Sequence, residues 1–165
     1  MVHRIAYPRR GELYIFEDTR RVNGYGHSAI GGKLKDSGSR SYRFISKEGR
    51  NQTEGGGNEI IGGESKFINN YYSSYESMIN SEDISGKYNK MMTIKKLSYR
   101  EVAQALNAAY ESATSRYHFI FSNCFHVVKN ALKSIGMYDG GLGTFIPNNG
   151  FYNIYYQYKP KKWYE

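Results

Sequence analysis

At 165 residues, with 23 Lys plus Arg against 15 Asp plus Glu and a net charge of +8, the chain is basic, long enough for one domain and too short for two ordinary ones. Its single cysteine excludes an internal disulfide, and no apolar run approaches the about 20 residues that span a bilayer. Residues 1–10 are too short and too charged for a secretory signal, so residues 1–165 are read as one soluble domain.

Aliphatic residues are sparse, whereas 17 Tyr and 8 Phe offer large buried areas, so the core is expected to be rich in aromatic rings. The positive charge favours an anionic polymer, surface or partner. Lysines at 87, 90, 95, 96, 159, 161 and 162 are interleaved with tyrosines, which suits a phosphate-and-stacking surface. No helix-turn-helix, zinc-finger or ribonucleoprotein signature accompanies them, and lysines so scattered ordinarily form a solvated face.

In chain order, residues 11–16 alternate and carry β-branched or aromatic side chains, which predicts a strand. Residues 27–30 predict a second, ended by Gly31 and Gly32, and residues 41–46 a third that pairs with it, so His27 is expected inside a sheet. Residues 47–63 are rich in Gly, Asn and Glu without any period, and read as a loop that lacks the glycine spacing of a phosphate-binding turn. Phe67, Tyr71, Tyr75 and Met78 fall at spacings of four, four and three, which predicts a short helix over 67–79. Residues 93–97 read as a strand.

The segment Ser98-Tyr-Arg-Glu101 fits a capping box, and Val102, Ala105, Leu106, Ala109 and Ala113 give the helix that follows one apolar face. Residues 117–121 form a short apolar run. Asn123 is a candidate N-cap, with Phe125, Val128, Leu132 and Ile135 at helical spacing and Gly136 at the C′ position. Beyond it, the tyrosine-rich run ending at Tyr158 reads as an edge or closing strand.

Cys124 thus falls in the first turn of a buried helix, where the positive end of the helix dipole and its unpaired N–H groups stabilise a thiolate. A lone cysteine is most often a small buried hydrophobe. The helix start, the adjacent Asn123 and an upstream histidine on a strand favour a nucleophile, with His27 as its base. His126 is turned about 200° from Cys124 on the helix and reads as structural. His118, Cys124 and His126 lack the paired spacing of a zinc site, so neither a metal nor another cofactor is expected.

Three motifs, Gly26-His-Ser-Ala-Ile30, Tyr42-Arg-Phe-Ile-Ser-Lys-Glu-Gly49 and Tyr117 with Asn123-Cys124-x-His126, resemble the circularly permuted papain-like hydrolases, of NlpC and lecithin:retinol-acyltransferase type. The likeness is nearest to the toxin-type domains of bacterial Rhs repeat proteins, and covers residues 11–150. It implies an α+β fold with a permuted papain-like core, an antiparallel sheet packed against the helix that carries the cysteine. It further implies Cys124 as nucleophile, His27 as base and a third polar residue orienting the imidazole, for which Ser46 is chosen from Ser41, Arg43 and Ser46. His118 stands at the offset where papain-like enzymes carry a glutamine that donates to the oxyanion, and is the oxyanion candidate.

The activity so implied is hydrolysis of an amide or peptide bond in an anionic polymer such as peptidoglycan, or in a protein. An antibacterial effector of this kind would be secreted or delivered into a target cell by a secretion-system carrier and silenced by a cognate immunity protein, with the cytoplasm as the other location. Two alternatives stay open: a lipid acyltransferase or phospholipase of the same fold, and a basic binding module in which Cys124 is core.

Overall fold

The structure, a computed structural model, describes residues 9–21, 24–50, 65–116, 122–141 and 144–158. Five strands are followed or interrupted by four helices: β1 (Gly11–Asp18), β2 (His27–Lys33), β3 (Tyr42–Arg50), β4 (Ser65–Tyr72), α1 (Tyr75–Ile79), β5 (Lys90–Leu97), α2 (Tyr99–Thr114), α3 (Cys124–Ser134) and α4 (Pro147–Tyr158). The strands form one antiparallel sheet in the order β4-β3-β2-β1-β5, with the histidine strand at its centre. The fold is α+β.

Period-two alternation explains why β1 is buried on both faces. Leu13 and Ile15 join a core with Ile30 and Ile45 of the sheet, Val102 and Leu106 of α2, and Phe125, Val128 and Leu132 of α3. Tyr14 and Phe16 point the other way, into a smaller cluster with Ala29, Phe44, Met78 and Ile84. The expectation of an aromatic core holds for that second cluster. The larger one is mostly aliphatic, because helices packing on a sheet fill the gap with branched side chains from α2 and α3.

Four segments differ from their sequence reading. Gly31 and Gly32 continue β2 to Lys33 instead of ending it, because α2 presses on the sheet there: a Cβ on Gly32 would lie 2.7 Å from Val102 Cγ1. Lys47 to Arg50, expected to open a loop, extend β3 and pair with β4 across a register shift between Lys47 and Gly49. Residues 67–72, expected to begin a helix, belong to the edge strand β4, and only Tyr75–Ile79 is helical, behind a capping box at Ser74. The aromatic stripe at helical spacing was met by chance, since the edge of β3 offers these residues a ladder of backbone partners.

The fourth is α4, a helix where a strand was expected. Pro147 opens it, and Pro147, Gly150, Phe151 and Ile154 are its buried face at helical spacing. Gly150 is required by proximity: a Cβ there would overlap the Phe125 ring, so α4 rests on the start of α3.

Candidate active site

The sequence around Cys124 builds its own helix start. Asn123 is the N-cap of α3, its Oδ1 accepting from Phe125 N at 2.9 Å and from His126 N at 3.3 Å. His126 completes a reciprocal cap, Nδ1 lying 3.3 Å from Asn123 N and 3.0 Å from Asn123 Oδ1, which accounts for it as a structural residue. Asn123 Nδ2 donates to Phe145 O at 2.7 Å, tying the helix start to the segment that leads into α4. Cys124 is therefore the first residue of α3, buried and with a free thiol.

α3 packs on β2 and β3, and its start meets the end of the sheet at which β2 begins. There the Cys124 and His27 side chains lie near enough for the cysteine to act on the imidazole. The buried imidazole has two partners on its far side, with Nε2 lying 3.2 Å from Ser46 Oγ and 3.4 Å from Glu48 Oε1. Ser46 Oγ donates to Glu48 Oε1 at 2.6 Å, which leaves its lone pairs to Nε2. Tyr88 covers the imidazole, the rings stacked at 5.8 Å between centroids and 23° between planes, and its hydroxyl lies 3.2 Å from Ser46 Oγ.

The electrostatics follow from this contact order. Burial alone would lower the His27 basicity, but the charge and hydrogen bond of Cys124, followed by those of Glu48, raise it to about 10. Glu48 behaves oppositely: burial pushes it up, while the His27 hydrogen bond and charge, the Ser46 hydroxyl and Arg21 draw it down to about 2. Arg21 Nη1 stands 3.4 Å from Glu48 Oε2. Burial holds the Tyr88 phenol well above its ordinary range, with the Glu48 charge adding to the effect. The arrangement favours an imidazolium at His27, between Cys124 and the Glu48 carboxylate.

Cys124, His27 and Ser46 are thus together, as the sequence reading expected. His118 lies outside the described residues. Glu48 was missed, although its place two residues after Ser46 on a strand puts both side chains on one face. Ending β3 at Ser46 hid that relationship. Tyr88 was missed as well, since nothing in its own segment marks it; the stack exists only because β5 brings that segment beside β1. Among the described residues, no group of three or more His, Cys, Asp or Glu side chains is arranged to hold a metal ion, and no helix is long and apolar enough to cross a membrane. A groove of about 610 Å³ runs between α2 and α3 past Glu111, Arg116, Ser122 and Asn130; neither Cys124 nor His27 lines it.

No family model matches the chain, and no curated protein or solved structure matches it either.

Proposed function

We propose that this protein is a cysteine hydrolase of the permuted papain-like type, cleaving an amide or peptide bond. The observation that carries the reading is the single array Cys124, His27, Glu48, in which a cysteine at a helix start meets an imidazole held from behind by a half-buried carboxylate. Cys124 Sγ attacks the carbonyl carbon. His27, with Nε2 held by Ser46 and Glu48, uses Nδ1 to exchange the proton, giving it to the leaving amine as the acyl-enzyme forms and taking one from water when that intermediate is hydrolysed.

The developing oxyanion needs donors that are not otherwise engaged. The Asn123 cap takes the N–H groups of Phe125 and His126 and not that of Cys124, which suits the Cys124 N–H to this role. His118 is the proposed second donor, on its offset from Cys124. The net charge of +8 favours an anionic substrate, such as a cell-wall polymer bearing peptide amides, and fits an antibacterial effector carried by a secretion system and checked by an immunity protein.

The test is release of amines from purified peptidoglycan and from an unrelated peptide library, for wild type and for folded Cys124→Ala and His27→Ala proteins. Turnover by wild type alone is expected. Equal turnover by a folded Cys124→Ala protein would remove the cysteine from the chemistry and leave the basic binding module.

A further inference from the structure

We propose that Lys47 is a positioning residue for the candidate nucleophile, holding the segment that enters α3 against the end of α2 and supplying the positive charge that balances a thiolate at Cys124; the proposal rests on the cysteine-hydrolase reading. Ser46 and Glu48 reach His27, while Lys47 between them on β3 goes to the helices. Its side chain is fully buried, a rare state for a lysine without a charged partner.

Among the described residues, all its acceptors are neutral oxygens. Nζ donates to Ser122 Oγ at 2.8 Å, Ser115 O at 2.9 Å, Ser112 O at 3.0 Å and Ser115 Oγ at 3.1 Å, with Arg116 O at 3.4 Å. Two consequences follow from this set. Ser112 and Ser115 stand at the last turn and the C-cap of α2, whose unpaired carbonyls are the negative end of its dipole, so the ammonium caps that helix. Ser122 lies just ahead of the Asn123 cap and also meets Ser115 Oγ at 2.8 Å, so the same ammonium pins the approach to Cys124.

A helix end carries only about half an elementary charge, too little to neutralise a buried ammonium. The proposed counter-charge is Cys124: burial draws the Lys47 ammonium down to about 8, and the cysteine opposes that fall. The ionisable groups that face the sulfur or its partners are Glu17 from β1 and Arg21 just after it, His27 from β2, Lys47 and Glu48 from β3, and Tyr88 from the segment before β5. α2 contributes only the neutral Ser112 and Ser115 to this cluster. Lys47 is therefore a further cation of the site beside His27 and Arg21, and the one held by the end of α2 and by Ser122.

The experiment is the rate of iodoacetamide alkylation against pH, read by intact mass, in which the single cysteine is the only thiol. In wild type the plateau is expected below the about 8.5 of a free thiol. Lys47→Met should move the half-point up by about one pH unit, and Lys47→Arg should leave it near wild type. A lower melting temperature with an unmoved half-point in Lys47→Met means a helix cap alone and overturns the proposal. A free-thiol profile in wild type overturns the hydrolase reading and this one with it, whereas a depressed wild-type profile that Lys47→Met preserves overturns only the role of Lys47.

The coupling must also run in the other direction, which needs no lysine variant to fold. Cys124→Ser removes the thiolate with little change of shape. The Lys47 titration, followed by the carbon NMR signal next to Nζ, should then move to lower pH than in wild type. An unchanged Lys47 midpoint in Cys124→Ser overturns the proposal.

Discussion

Glu17 Oε1 and Asn148 Oδ1 close on the same point above Gly26, both buried and neither with a hydrogen-bond donor among the described residues. The Asn148 amide is fixed, because Nδ2 donates to Gly24 O at 2.6 Å and to Thr19 O at 3.2 Å, so its oxygen must face inward. The other Glu17 oxygen is occupied by the Ser28 hydroxyl. Two facing acceptors are both satisfied when one carries a proton, and the carboxyl is the one that can.

Burial raises the Glu17 carboxyl to about 7, with Ser28 and His27 pulling the other way. A raised folded value means that its contribution to stability is complete below the ordinary 4.5 and is lost as pH rises through about 7, a change of about 3 kcal/mol. Glu17→Gln supplies an amide N–H to Asn148 Oδ1 at every pH. The melting temperatures of variant and wild type should agree near pH 5 and separate by pH 8, with the variant higher. A constant difference across that range would show that Glu17 does not bind its proton on folding.

Gly26 is the hinge of this contact. Its φ of +92° disfavours any side chain, and a Cβ would overlap both oxygens. Gly26→Ala is expected to cost at least about 2 kcal/mol in urea melts. Since Gly26 precedes His27, the variant should also lose activity per folded molecule; retention of both properties would mean that the β1–β2 connection does not position the histidine.

Glu48 and Ser46 compete for the role of orienting His27, and their charges rank them. A carboxylate stabilises an imidazolium and a hydroxyl only aligns it, so Glu48→Gln should lower kcat by about 10²-fold or more, and Ser46→Ala by about tenfold. Glu48 is drawn to about 2, so the stability it contributes is present above the ordinary 4.5 and lost as pH falls through about 2. Glu48→Gln should remove that acid-side loss. If Ser46→Ala proves the more damaging for turnover, the hydroxyl is the orienting group and Glu48 serves the fold.

Legibility in the sequence tracked how local the cause of each feature is. α2 and α3 were readable because capping boxes, apolar faces and the Gly136 stop lie within the helices themselves. The placement of Cys124 at a helix start came with them, and His27 came from a strand with clear turn signals. β4 and α4 were misread because aromatic residues serve either geometry: the first is decided by the free ladder of β3, the second by Pro147 and the fit of Gly150 on Phe125. Glu48 and Lys47 were hidden by assigning their segment to a loop. Their roles depend on strand pairing and on the end of α2, which is distant in sequence and adjacent only after folding.

Asn123 offers a way to separate the architecture of the site from its charge. Asn123→Ala removes the cap of α3 and the bond to Phe145 O, and should cost about 1 to 2 kcal/mol, read as a lower urea midpoint. Asn123→Asp keeps an oxygen for the Phe125 and His126 N–H groups and adds a negative charge that a helix start favours, but loses the donor to Phe145 O, so its melting temperature should fall between those of wild type and Asn123→Ala. That same charge stands next to Cys124 and opposes a thiolate. Alkylation of Asn123→Asp should therefore be slower near neutral pH and reach its plateau at higher pH, while Asn123→Ala, corrected for its folded fraction, alkylates at nearly the wild-type rate. Equal alkylation profiles for wild type and a fully folded Asn123→Asp protein would mean that the sulfur reacts without developing charge at the helix start, and the ion pair with His27 would have to be abandoned.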